Sequence, residues 1–379
     1  MQDNQNERES GAHRRQALLF ATSGHSGVDR VVANLLPEFG RVNRQFHLLV
    51  IRGHGPAIPD DLPDNIKVFR LPVSTKKLVM PALIWYLRRY RPEALLTANH
   101  QLNRAALLAR RITGVDTRVA IRMGMSVTAT GETMKPRARD ALFASMRRWY
   151  PMADAAVTPS QGVGNDLMSI AGVAPERLHV IPNPIVNARF RELASVPVEH
   201  PWYRNQDVPV ILGVGSLEPR KDFPTLIRAF ARLRRERPCR LIILGEGRDR
   251  QMLEAMTREL GVAEDVALPG FDANPYPHMA RAAIFVLASR REGASAVIVE
   301  ALACGTPVVS TDCPSGPAEV LQNGRIGALV AVGDDAAMAA AINDTLRNRP
   351  EPELLKNAVR DHDVDVAARH YLRAMGLQD

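Results

Sequence analysis

Two glutamates set eight residues apart carry the most readable chemistry in this chain. They lie in Arg291-Glu-Gly-Ala-Ser-Ala-Val-Ile-Val-Glu-Ala-Leu-Ala-Cys-Gly305. Glu292 falls in a loop after an apolar run ending near Ala288, and Glu300 falls inside the helix that follows. The amides of Ala294, Ser295 and Ala296 are the free donors of that helix. With the positive helix end they can hold a diphosphate. A carboxylate one or two turns along can accept from ribose hydroxyls. A carboxylate just before the helix lies near the group being transferred. Glu300 has Val297, Ile298, Val299, Ala301 and Leu302 around it. Burial in such a run without a partner is costly, which favours a role over a plain helix-face glutamate.

Gly213-Val-Gly-Ser-Leu-Glu-Pro-Arg-Lys-Asp-Phe223 is the second motif. Glycines at a strand end, Gly215 among them, followed by Arg220 and Lys221 suit a phosphate group. The chain has only six lysines, and Lys221 is the only one between Lys135 and Lys356. Where arginine is the habitual cation, a lone lysine marks a place for a compact ammonium. The competing reading is a solvated turn. Two weaker features follow. Gly24-His-Ser-Gly27 lies between the first strand and a helix, where backbone can approach a phosphate or simply turn. His100, in Thr97-Ala-Asn-His-Gln-Leu-Asn103, stands just past a strand end and is either functional or structural.

Short β-like runs alternating with helical stretches position these residues. In the first half the strands are Gln16–Ala21, Phe46–Ile51, Val68–Leu71, Ala94–Thr97, Arg118–Ile121, Ala155–Thr158 and His179–Ile181. A second series begins at Val208–Val214 and runs through Arg240–Leu244, Val266–Leu268, Ile284–Ala288, Pro307–Ser310 and Ala328–Val330. Helix-length segments between strands predict parallel sheets covered on both faces. The expected class is α/β, with two doubly wound Rossmann-like domains facing across a cleft. Such sheets bind ligands beyond their strands' carboxyl ends. The expected divisions are a disordered tail over 1–14, a first domain over 15–185 and a proline-rich linker over 186–207. A second domain follows over 208–349.

The length of 379 residues suits two domains of about 150–200 residues each. No apolar run approaches the roughly 18–20 residues that span a bilayer. The first 14 residues lack a signal-peptide core, so a cytoplasmic protein is expected. Cys239, Cys304 and Cys313 form no CxxC pair, which argues against a disulfide framework or a zinc site. Residues 1–200 hold 27 Lys+Arg against 17 Asp+Glu, while 201–379 hold 22 against 24. The basic half therefore faces something anionic, such as a membrane surface or a phosphorylated lipid. Lys135 to Tyr150 mixes basic and bulky apolar residues, as would an amphipathic helix on anionic lipid or a cationic helix packed on its own domain. Only 5% aromatic residues and no recognisable motif argue against nucleic acid.

The second half resembles the family 4 retaining glycosyltransferases of the GT-B fold, also grouped as glycosyl transferases group 1. The resemblance rests on the 213–223 motif, Ile243-Leu-Gly-Glu-Gly247, Leu268-Pro-Gly-Phe271, the paired glutamates and Cys304-Gly-Thr-Pro-Val-Val-Ser-Thr-Asp-Cys-Pro-Ser-Gly-Pro-Ala-Glu319. Gly27-Val-Asp-Arg-Val31 matches the family's first glycine loop. The match runs from about residue 16 and is most specific over 210–332.

The resemblance implies roles. Arg220 and Lys221 would bind the donor diphosphate, Glu300 the ribose, and Gly270 and Phe271 the base. Glu292, Gly293, Ala294, Ser295 and Ala296 would line the donor sugar and phosphate. His100 would lie near sugar and acceptor, with Gly24 and Gly27 beside them. No metal and no cofactor is expected, because the basic pair does the charge work. The implied partners are a nucleotide-sugar donor, expected to be UDP-linked, and a glycan or lipid-linked acceptor of cell-envelope or exopolysaccharide assembly. The location implied is cytoplasmic or peripheral on the inner membrane face. The segment 350–379 is expected to pack as helix on the first domain.

Ala294-Ser295 and Arg291 depart from the family where the donor sugar sits, and Arg122-Met-Gly-Met-Ser126 departs where a His-Asn stretch is usual. Three rivals stand beside this reading. One is a nucleotide-sugar epimerase or phosphorylase on the same fold. Another is a non-catalytic scaffold. The third, a dehydrogenase, lacks its Gly-x-Gly-x-x-Gly fingerprint.

Overall fold

A computed structural model describes residues 15–20, 27–51, 61–73, 78–132, 134–204, 208–292, 295–314 and 316–377. The chain divides into two compact units, one of 1–184 with 364–379, the other of 185–363. The first unit runs β1 (Arg15–Leu19), α1 (Gly27–Gly40), β2 (Gln45–Ile51), β3 (Ile66–Leu71), α2 (Val79–Tyr90), β4 (Ala94–Ala98), α3 (His100–Thr113), β5 (Arg118–Arg122), α4 (Val127–Glu132), α5 (Pro136–Trp149), β6 (Ala155–Thr158), α6 (Gln161–Ala171) and β7 (Leu178–Val180). The second runs α7 (Ala188–Ser195), β8 (Val210–Val214), α8 (Phe223–Glu236), β9 (Arg240–Leu244), α9 (Arg250–Glu259), β10 (Val266–Gly270), α10 (Tyr276–Arg281), β11 (Ile284–Leu287), α11 (Ala296–Ala303), β12 (Val308–Thr311), α12 (Pro317–Val320), β13 (Ala328–Val330), α13 (Asp335–Arg347) and α14 (Pro352–Ala358). The last helix, α15 (Val364–Ala374), returns to the first unit.

Both sheets are parallel, in the orders β3-β2-β1-β4-β5-β6-β7 and β10-β9-β8-β11-β12-β13. This is the doubly wound α/β architecture of each half of the GT-B fold. The central strands are buried along their length, as when helices cover both faces; β4 and β11 are buried throughout. In the first unit Tyr86, Leu107 and Tyr150 fill one side of the sheet. Phe39, Phe46 and Tyr371 fill the other. Strand order reverses between β1 and β4, and again between β8 and β11. Loops leaving those strands are where open sheets bind ligands.

Two expected boundaries differ from the structure. Residues 186–207 do not form a free linker over their described part. Asn187 caps α7, its Oδ1 accepting from the Phe190 amide at 2.7 Å. Phe190 is buried against Tyr276, with ring centroids 4.6 Å apart. The prolines mark turns between packed pieces. The segment 350–379 is also split. Leu355 and Val359, at α14 and just after it, enter the second unit's core, and α15 alone packs against α1. The units meet in sequence at 184/185 and 363/364. Beside those junctions Val186 bridges Asp363 in parallel.

Candidate active site

The chain leaves β8 at Val214 and turns through Gly215. That turn lies flat on the turn leaving β9. The Gly215 amide donates to the Leu244 carbonyl at 2.9 Å, and the Leu217 amide to Glu246 at 2.9 Å. Only glycine fits at two contacts. A Cβ at Gly245, whose φ is +146°, would lie 1.8 Å from the Gly215 carbonyl oxygen, and one at Gly247 would lie 2.3 Å from that of Leu217. At Gly215 a Cβ would meet the Lys221 Cε at 3.0 Å, so the lysine stem lies along that glycine.

Lys221 thereby reaches the loop leaving β11. Its Nζ lies 2.6 Å from Glu292 Oε1, and the Ser289 hydroxyl donates to the same oxygen at 2.6 Å. Arg220 Nη1 lies 3.7 Å from it. The lysine and glutamate side chains are 11% and 9% exposed, against 47% for Arg220. A pair this buried needs further hydrogen bonds to be stable, and Ser289 supplies one. Ser289 is held in turn by Thr311, whose hydroxyl donates to the Ser289 carbonyl at 2.6 Å. The loops are also tied by the Arg290 amide on the Arg220 carbonyl at 2.9 Å, and by Arg290 Nε 3.1 Å from Asp222 Oδ2. Carboxylate and cations thus meet where the strand order reverses.

Two residues here hold left-handed backbone without being glycine: Asp222 at φ +49° and Ser295 at φ +44°. Each immediately precedes a helix, α8 or α11, and each is buried. Strain of this kind persists where surrounding structure over-determines it, often at functional sites. The Ser295 hydroxyl is buried and without a hydrogen-bond partner. Ala296 opens α11. Glu300, 8% exposed on α11, has Tyr276 Oη at 3.5 Å from Oε1. Gly270 closes β10 with φ +104° and accepts from the Gly245 amide at 2.8 Å. Phe271 beyond it is 76% exposed.

Sequence reasoning missed Ser289, Asp222, Arg290 and Tyr276, since hydrogen-bond partners in loops and at helix starts carry no spacing signature. Gly24, Gly293 and Ala294 lie outside the described residues.

The three cysteines all belong to the second unit. Burial pushes the Cys239 thiol up to about 11 and the Cys304 thiol up to about 12. Burial also raises Cys313, with the Glu292 charge adding.

In the first unit, Gly27 opens α1 and His100 opens α3 beyond β4. Asn99, at φ +77°, caps α3, its side chain accepting from the Leu102 amide at 3.1 Å. His100 is half-buried, with Nδ1 3.2 Å from Tyr150 Oη. Burial, and then the Arg104 charge, hold its pKa down to about 4. On α5, Met146 is buried and Leu142, Phe143 and Trp149 pack on the core, so the exposed face is left to Arg137, Arg139, Arg147 and Arg148. The apolar side of this helix is spent on its own unit. Among the described residues no helix is long and apolar enough to cross a membrane.

The family model for glycosyl transferases group 1 matches residues 200–362, and that for a glycosyl transferase 4-like domain matches 12–184. A Campylobacter jejuni protein is 34% identical over 213 residues, 56% of each chain. It is named N-acetylgalactosamine-N,N'-diacetylbacillosaminyl-diphospho-undecaprenol 4-alpha-N-acetylgalactosaminyltransferase. The chain spans about half the length of the curated relatives it matches. Among solved structures, the lipopolysaccharide outer core galactosyltransferase WaaB aligns with TM-score 0.71 at 19% identity, over 96% of this chain and 99% of its own. Anabaena HepE in complex with UDP aligns with TM-score 0.70 at 19% identity, over 96% and 100%. These two likenesses speak to the fold.

Proposed function

We propose, from the premise that the chain belongs to the group 1 glycosyl transferases, that it moves a sugar from a nucleoside-diphosphate sugar to a glycan or lipid-linked acceptor in envelope or exopolysaccharide assembly, with retention at the anomeric carbon. The observation that carries this reading is the Lys221–Glu292 pair at the strand-order reversal of the second unit.

As the sugar departs, negative charge builds on the diphosphate. Arg220 and Lys221 would stabilise it, because a fixed cation in a partly buried site needs little reorganisation. The amides of Ser295 and Ala296 at the start of α11 add to the same field. Glu292 keeps the ammonium in place and would share it with the incoming phosphate. Glu300 would accept from ribose hydroxyls, and the backbone around Gly270 and Phe271 would hold the base. A neutral His100 would hydrogen-bond the sugar or the acceptor. The cation pair makes a divalent metal unnecessary, so turnover should persist in EDTA. A UDP-linked donor is favoured because HepE, of the same fold, is in complex with UDP. The exposed arginines of α5 would favour an anionic membrane surface by charge alone, not by apolar insertion.

A thermal-shift series over UDP-, GDP- and ADP-sugars tests donor binding, since a ligand of the folded state raises its melting point by mass action. A labelled-donor assay tests transfer. Lys221→Ala should lower kcat by about 10²–10³-fold, the scale of losing one preorganised electrostatic donor. A folded Lys221→Ala enzyme with full turnover, or conversion of the donor to its epimer without transfer, would sink the reading.

A further inference from the structure

Arg122, the last residue of β5, is 2% exposed. Two of its guanidinium nitrogens are held. Nε donates to Tyr371 Oη at 2.8 Å, and Nη2 donates to Asn183 Oδ1 at 2.8 Å. The third, Nη1, is buried and has no hydrogen-bond partner. Both partners are neutral. Other poorly exposed arginines sit against acids, as Arg44 does against Glu93 and Arg110 against Asp154. Arg122 forms no such ion pair among the described residues. A buried guanidinium without a counter-charge is strongly disfavoured.

The chain around Arg122 keeps room for this group. A Cβ on Gly124 would lie 2.7 Å from Nη1, so bare backbone of a half-buried residue stands there. The Arg122 carbonyl accepts from Asn103 Nδ2 at 3.1 Å and from the Asn99 amide at 3.4 Å, which fastens this strand end to the start of α3 and His100. The position is the carboxyl edge of the first unit's sheet, one strand from the order reversal.

We propose that Arg122, with Asn183 and the Tyr371 hydroxyl, forms a seat for a phosphate-type oxyanion carried by the acceptor. Guanidinium has the charge and fork geometry for such a group. The ligand's identity as acceptor rests on the transfer reading above; the seat itself does not.

Pyrophosphate is the probe, used on Lys221→Ala protein so that the cation pair of the second unit does not report. Pyrophosphate should still raise the melting point of Lys221→Ala, and should lose that effect in Lys221→Ala/Arg122→Met, with Kd weakened at least tenfold. Arg122→Met should itself melt no lower than its parent, because an apolar side chain replaces an unpaired charge. Gly124→Ala keeps the charge but crowds Nη1, and should weaken pyrophosphate as well. In transfer assays Arg122→Met should raise KM tenfold or more for a diphosphate-bearing acceptor and leave KM for a neutral glycan and for the donor unchanged. Loss of pyrophosphate binding with no change in acceptor KM would assign the seat to free phosphate and overturn the acceptor assignment. A folded Arg122→Met that binds pyrophosphate as its parent does would overturn the seat. So would a steep fall in its melting point, which would make the guanidinium a structural cross-link.

Discussion

At neutral pH the His100 imidazole carries no charge, because burial and the neighbouring Arg104 hold its pKa down to about 4. In the unfolded chain a histidine titrates near about 6.5. Between those two values the unfolded state takes up a proton that the folded state refuses. His100 therefore subtracts stability as pH falls from 6.5 toward 4 and has no such effect above 6.5. His179, His200 and His278 are lowered by burial in the same direction. His100→Gln should flatten part of the acid-side fall in urea-melt stability between pH 6.5 and 4.5. An unchanged slope would mean that the imidazole is not desolvated as described. At this scale the sequence was partly readable. Lys221 stood out by rarity and Glu300 by its apolar neighbours. Ser289 and Tyr276 did not, because a hydroxyl donor's direction depends on a fold the local pattern does not encode. Arg122 was visible only as a departure from a family pattern.

Among the elements, the clearest case is α7. The prolines on either side of it and its weak periodicity read as a linker, yet Asn187 caps it and Phe190 anchors it against Tyr276. Asn187→Ala should cost about 1 kcal/mol, the usual scale for a lost cap, and Phe190→Ala about 3–5 kcal/mol, as for a buried aromatic. Both would be measured as denaturant midpoints of the second unit. Silence at both positions would return this segment to a linker. Strands were legible from composition, since a doubly covered strand such as β4 must be apolar along its length. Segment assignment was not. Helical periodicity at α14 and α15 says that each is amphipathic, and only the contacts say that they serve different cores.

For the whole molecule, the chain passes between units at 184/185 and again at 363/364, so the second unit is an insertion between β7 and α15. Its three thiols then become a clock. Cys239, Cys304 and Cys313 all lie in that insertion, and burial keeps each far from its thiolate form at neutral pH. Alkylation should be fastest when the insertion opens, since the thiolate is the reactive species and burial disfavours it in the folded unit. Mass spectrometry after a timed pulse of iodoacetamide should show the unmodified chain giving way to a triply labelled one, with few singly labelled molecules between. On the proposed function, UDP should lengthen the pulse needed, because a ligand of the folded state holds it closed by mass action. Stepwise labelling would show that the insertion does not open as one body, and a rate indifferent to UDP would count against UDP binding to it. With no label added to the first unit, the chain thus carries a built-in stopwatch for one half of itself.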